Sequence, residues 1–589
     1  MARAVLFGTP VSPGIGIGSI RFMHDMRMSE ERRIGPDEVE TERSALRAAA
    51  ASVRAALEKT MRNVPEDLAE YRDVIAAQME LARDPKLLDA ALARIEHKKI
   101  CASWALNHTV EELCALFRGM DDPYLRDRAQ DIRAVGLRLR ECLAGAQHDN
   151  AVSGPSVLVA EDLSPADVME LNLEGVLGIL TAEGGPTSHT AILSRGLHIP
   201  ALVGVTGLLN TARKDERIIL DGLGGCVLFG PDESDLARYT ARRDEFNAWE
   251  SHTRRTAHWP AEMCDGVRVA VQGNLESLEE LDSLSECGAD GVGLYRTEFA
   301  YLKGDLPTEE ELFREYAAVA AKAGPGRVVF RTLDAGADKM LRAQAALKEP
   351  NPALGLRGIR FSLRHQGIFR TQLRALLRAG VAGNLALLLP MISGLAEVQG
   401  VRRILQELRQ ELQAQNLPHA PDLPLGIMVE TPAAVMVCDA LARECDFFSI
   451  GTNDLIHYLM AIDRNNRHVG YLHEPLHPAV VRSLKRVIDA AHREGIGVSV
   501  CGELASDPCG LALLLGMGVD AVSAAPRFVP GMKHMIRQLD AETCMDLAHS
   551  VLMSTDVMAS QRMVREKLHQ SLGTELAFHT TSLSSHSQP

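Results

Sequence analysis

Between residues 267 and 526 one pattern recurs eight times: a short apolar run, a polar or glycine-bearing end, then a longer stretch with helical spacing. The runs are VRVAVQGN, GVGLYRTE, VVFRTLDAGADK, LALLLPMI, LGIMVETP, FFSIGTNDL, GVSVCGE and AVSAAP. Continuous apolar runs suit strands buried on both faces, and strands alternating with helices suit a parallel sheet. Eight such alternations predict a (β/α)8 barrel. An open doubly wound sheet would instead call for a GxGxxG turn leading from a strand into a helix, and none is present.

Residues 31–145 read differently. ETERSALRAAAASVRAALEKTMRNV and the segments after it place Ala, Leu, Glu and Arg at helical spacing, with breaks at Asp84-Pro85 and Asp122-Pro123. This predicts an all-α insert of about four helices. On either side of it, 1–30 and 146–229 carry strands and glycine turns: SPGIGIGSIRFM, SVLVAEDLSP, GVLGILTAEGG, ALVGVTG and ERIILDGLGGCVLFG. The reading is one α/β domain interrupted by the helical module. Residues 230–260 are charged and helical without an apolar stripe, as a linker helix would be. The barrel is expected over 261–570, and a disordered tail over 571–589.

Composition narrows the class. A chain of 589 residues exceeds one ordinary core, so a multidomain α/β protein is expected. The net charge of −15, without a long Lys/Arg run, argues against nucleic acid and against a membrane surface. No apolar stretch is long enough to span a bilayer, and the opening residues do not read as a signal peptide. Eleven scattered cysteines with no CxxC pair point away from zinc and disulfides and towards a reducing, cytoplasmic setting.

The barrel runs end in chemistry: Asn274, Arg296, Arg331 with Asp334, Glu430, Asn453 with Asp454, and Cys501 with Glu503, while Ser523 lies on the last run. One carboxylate or arginine at a strand end is ordinarily a surface ion-pair partner. Several ends in register meet at the barrel's C-terminal rim, where active sites are built. Arginines there suit phosphate or carboxylate. Glu430 and Asp454 are a hard-oxygen pair suited to magnesium, and Arg357 and Arg464 lie in loops within reach. In the α/β domain GGPTSHTAILSRG reads as a glycine turn opening a helix, a natural anion seat. His189 in that turn could bind metal, act as a base or carry a phosphoryl group.

GGPTSHTAILSRGLHIPALVG, GLYRTEF, RTLDAGADK, NPALGLRGIR, GIMVETP, FFSIGTNDL, MAIDR and VCGELASDP follow SPGIGIG in order along nearly the whole chain. Together they resemble enzyme I of the bacterial phosphotransferase system, a phosphoenolpyruvate–protein phosphotransferase. Single motifs are shared with pyruvate phosphate dikinase and phosphoenolpyruvate synthase. The helical insert and the lack of a nucleotide-grasp domain separate enzyme I from these. The resemblance implies phosphorylation of His189, phosphoenolpyruvate contacts by Arg296, Arg331, Asn453, Asp454 and Arg464 with Arg357 in the same pocket, and Mg2+ on Glu430 and Asp454. It implies that Cys501 protonates the enolate to pyruvate, that the helical insert docks the carrier HPr, and that the barrel forms a homodimer. The His189 domain would swivel between barrel and carrier, hinging at the linker. Pro186 stands where many sugar-branch relatives carry a basic residue, which leaves a nitrogen-branch role as the alternative. The SPG start at residue 12, with no sensory domain ahead of it, favours the plain form.

Overall fold

A computed structural model describes residues 3–23, 32–62, 70–118, 123–145, 155–164, 166–167, 175–185, 188–302, 306–336, 351–463, 466 and 468–579. The chain divides into two compact units, Met1–Asn247 and Ala248–Pro589. The division falls within the charged helix Glu233–Arg255.

In the first unit, strands β1 (Ala4–Phe7), β2 (Thr9–Ser12), β3 (Ile15–Phe22), β4 (Ser156–Ala160), β5 (Val176–Thr181), β6 (Ala201–Val203), β7 (Arg217–Asp221) and β8 (Cys226–Phe229) form one sheet. Its order is β1-β8-β7-β3-β4-β5-β6-β2. The run β3-β4-β5-β6 is parallel, with antiparallel neighbours outside it. The helical module leaves this sheet after β3 and returns at β4. It contains five helices among the described residues, one more than the spacing suggested: Val39–Arg62, Glu70–Leu81, Pro85–Lys98, Ala102–Arg118 and Pro123–Leu143. One boundary that neither Asp-Pro break marks is at Lys99, whose left-handed φ of 51° ends the third helix three residues before the fourth begins. Leu46, Leu57, Ile75, Ala91, Ile95 and Val135 fill the module's own core. A buried Arg138–Asp167 ion pair at 2.7 Å fastens the module to the α/β domain.

The second unit is a closed barrel of eight parallel strands: β9 (Ala270–Leu275), β10 (Val292–Arg296), β11 (Val328–Arg331), β12 (Leu385–Leu389), β13 (Leu425–Val429), β14 (Phe447–Ile450), β15 (Gly497–Val500) and β16 (Ala521–Ala524). Alternation sorts the side chains. Phe330, Leu387, Ile427, Phe448 and Val500 pack with the surrounding helices. Leu294, Val329, Ala386, Leu388, Met428, Phe447 and Cys501 form a separate cluster that fills the interior.

The expected tail from 571 is folded as far as residue 579. The helix Val557–Leu572 continues into a turn, Gly573–Phe578. Phe578 is buried, and the His579 ring lies 4.9 Å from Trp249. Two apolar anchors, Leu576 and Phe578, stand against a Ser/Thr-rich background that hid them; residues 580–589 lie outside the described residues.

One contact in the outer layer predicts a stability effect. A Cβ on Gly516 would lie 1.9 Å from the Cys544 carbonyl oxygen, where helices Pro508–Met517 and Ala541–Met553 cross. Gly516→Ala is expected to destabilise the barrel by about 1–3 kcal/mol or more, because backbone must move to admit the methyl. Denaturant unfolding followed by circular dichroism measures this, and an unchanged midpoint would contradict the close crossing.

Candidate active site

Period-two alternation places the site. If Leu294, Val329 and Met428 point into the barrel, so do Arg296, Arg331 and Glu430, each two residues further towards the C-terminal rim. Arg296 and Arg331 are direct register partners on β10 and β11. Two guanidinium groups side by side repel unless each has its own counter-charge. Arg296 pairs with Glu276, and Arg331 donates from Nη2 to Glu298 Oε1 at 3.0 Å. Both arginine Nε–H groups are buried without an acceptor among the described residues. An anionic ligand would satisfy them.

Behind Arg331 stands a group of three carboxylates. Asp334, Glu430 and Asp454 each offer an oxygen, all within 4.8 Å of one another. Arg357 grips Asp334 through Nε at 3.2 Å and Nη2 at 2.9 Å, and its Nη2 lies 3.4 Å from Asp454. Arg331 Nη1 is 3.4 Å from Asp334. Burial alone would raise the Asp334 carboxyl, but the Arg331 and Arg357 charges outweigh it and hold it below the usual carboxylate range. Glu430 goes the other way. Burial first, then repulsion from Asp334 and Asp454, push its carboxyl well up, although it accepts the Met391 N–H at 2.6 Å. Burial would lower the Arg331 guanidinium, yet Glu298, Asp334 and Glu430 raise it overall. A divalent cation among three hard oxygens would relieve this repulsion, so the donor set fits one.

Across the mouth, Cys501 follows β15 and is 6% exposed. The Ser449 hydroxyl lies 3.3 Å from its sulfur, and the Cys501 carbonyl accepts from Asn274 Nδ2 at 3.0 Å. Burial raises the thiol above its ordinary value, partly offset by Ser449 and the Arg331 charge. Asn453 sits in the first turn of the helix Thr452–Leu459 that follows β14, and its Oδ1 accepts the Glu503 N–H at 3.0 Å, joining that helix to the segment after β15. Gly502 permits the approach: a Cβ there would meet Thr452 Oγ1 at 1.8 Å. Ser523 donates to Asn274 Oδ1 from β16.

The barrel therefore brings together Arg296, Arg331, Glu430, Asn453, Asp454, Arg357 and Cys501. Arg464 lies outside the described residues. His189 begins the helix His189–Gly196 in the first unit, where Ser188 caps the helix through the Ala191 N–H and its own N–H bonds to the Gly185 carbonyl. Thr190 next to it is buried and donates to Asp162 at 3.2 Å. Pro186 and Thr187 are outside the described residues. Sequence reasoning named Asp334 only as a companion of Arg331 and missed its place in the carboxylate cluster. It missed Glu298 altogether. The signal for Glu298 was present in RTE, where a strand-end arginine is followed two residues later by an acid.

Three parts of the chain match the PEP-utilising enzymes: the N-terminal domain over 7–128, the mobile domain over 152–225 and the PEP-binding domain over 250–541. The chain is 39% identical over 551 residues to a phosphoenolpyruvate-protein phosphotransferase of Bacillus sp. (strain S), covering 93% of this chain and 95% of that one. It is 38% identical over 553 residues to one from Listeria innocua, covering 93% and 96%. With that of Bacillus subtilis it shares 37% over 555 residues, covering 93% and 97%. Among the described residues no helix is long and apolar enough to cross a membrane.

Proposed function

The chain belongs to the phosphoenolpyruvate–protein phosphotransferase family, and on that premise we propose that it phosphorylates itself on His189 from phosphoenolpyruvate and passes the group to a histidine of an HPr-like carrier. The observation that carries this reading is the convergence on one barrel mouth of paired arginines, three carboxylates and a buried thiol. Phosphoenolpyruvate bears a phosphate and a carboxylate. Arg296 and Arg331 offer unfilled Nε–H donors for such a dianionic ligand, and Asn453 and Arg464 would contact it as the family resemblance implies.

A neutral imidazole nitrogen attacks phosphorus while the bond from phosphorus to the enol oxygen breaks. The arginines neutralise charge on the moving phosphoryl group and on the departing enolate. The Cys501 S–H then gives its proton to the methylene carbon, the enolate oxygen becomes a carbonyl, and pyruvate leaves. Glu430 and Asp454, with Asp334 beside them, would hold Mg2+, which when bound supplies positive charge to the substrate's oxygens. The helical module would dock the carrier, and the His189 domain would swivel between its two partners. The proposal includes a homodimer through the barrel and a cytoplasmic location, as the resemblance implies.

The test is incubation with 32P-labelled phosphoenolpyruvate. Label is expected on His189, acid-labile as a phosphoramidate is, transferable to HPr and independent of ATP. EDTA should reduce labelling to background, and Mg2+ should restore it. Labelling that demands ATP would instead indicate a dikinase or synthase. Transfer confined to a paralogue of HPr would favour the nitrogen-branch alternative raised by Pro186.

A further inference from the structure

Glu298 has no role in the scheme above, yet it touches both halves of the site. It opens the helix Glu298–Leu302, two residues beyond Arg296. Its Oε1 accepts from Arg331 Nη2 at 3.0 Å and from the Asp334 N–H at 2.8 Å. The stretch between those two residues is pinned twice more. Thr297 donates to the Arg331 carbonyl at 2.9 Å, and Gln372 accepts the Leu333 N–H at 3.1 Å while donating to Thr297 at 3.0 Å. These contacts fix the backbone of residues 331–334. Of the three anchoring side chains, only Glu298 also holds the guanidinium.

The anchor matters because Arg331 has competing partners. Asp334 lies 3.4 Å from its Nη1, and Glu430 is close enough to act on its charge. Without Glu298, the guanidinium would turn towards those acids, occupying the donors needed for substrate and the oxygens needed for a cation. Glu298 Oε2 is moreover buried with no hydrogen-bond partner among the described residues, an expense that a purely structural carboxylate would not ordinarily carry.

We propose that Glu298 is a positioning residue for the phosphotransfer reaction, fixing the Arg331 guanidinium and the Asp334 backbone as a single preset unit. The inference rests on the barrel mouth being the phosphoenolpyruvate site. Its signature is joint: one substitution weakens the apparent affinity for substrate and for Mg2+ together. A support that only stabilises the fold would lower the active fraction and the melting temperature, leaving KM of the folded enzyme unchanged.

The experiment compares the full-length chain with Glu298→Ala and Glu298→Gln. In the alanine variant, KM for phosphoenolpyruvate and the half-saturating Mg2+ concentration are each expected to rise about 10–100-fold. Glutamine keeps an acceptor for the Asp334 N–H but loses the charge, so it should recover part of both losses. Should the alanine variant not fold, a rise of both constants in the glutamine variant carries the test. Phosphoryl return from phosphorylated HPr to His189 does not use the barrel and should be unchanged. Values within about threefold of the parent, or a loss confined to the active fraction, overturn the inference. If the parent chain itself takes no label from phosphoenolpyruvate, the reading of the site fails instead.

Discussion

His189→Ala is expected to abolish labelling by phosphoenolpyruvate completely, and with it the return of label from phosphorylated HPr. No neighbouring group replaces a missing acceptor, because phosphoryl transfer depends on positioning one nucleophile in line with phosphorus. The chain contains twenty histidines, so label on any of the other nineteen would show that the acceptor was misassigned. Folding should be spared. Position 189 is the first residue of its helix, Ser188 supplies the cap, and alanine has the highest helix propensity. Circular dichroism and thermal unfolding should match the parent. Binding of phosphoenolpyruvate, measured by calorimetry, should stay within a few-fold, since its contacts belong to the barrel. Retained labelling of the variant would remove the central step of the proposed reaction.

The barrel was legible because its strands are short, apolar and buried on both faces, so each stood out against the helical spacing around it. β9 to β16 coincide with the eight apolar runs. The site was legible for the same reason: alternation carries the inward direction past the last apolar residue to Arg296, Arg331 and Glu430. Properties that depend on how neighbouring strands are aligned did not show. The adjacency of Arg296 and Arg331 is a matter of register between β10 and β11. Glu298 acquires meaning only when that adjacency places it against the backbone of Asp334, 36 residues further on. Asp334 joins Glu430 and Asp454 through loop geometry that spacing along the chain does not encode. The folded turn Gly573–Phe578 escaped notice because polar neighbours diluted the signal from Leu576 and Phe578.

Cys501→Ala is expected to slow pyruvate formation by about 10²–10⁴-fold, the usual contribution of a positioned proton donor. Substrate binding should change little, because the thiol shares an apolar cluster with Leu294, Val329 and Met428, and a neutral S–H adds little to the charged donors that hold the anion. The two steps can be separated in a single turnover by quenching at short times. Phosphohistidine should form in the variant while pyruvate lags. The acid must be protonated to act, and burial raises the Cys501 thiol above its ordinary value. Activity limited by this step should therefore hold through neutrality and fall only on the alkaline side, at a pH above that of a free thiol. The alanine variant, with no thiol to ionise, should lack that limb. Ser449 restrains the rise through its hydrogen bond to sulfur, so Ser449→Ala should move the limb further towards alkaline pH. Pyruvate formation by Cys501→Ala within threefold of the parent would assign the proton to another donor, and an unshifted limb in Ser449→Ala would mean that a different group sets it.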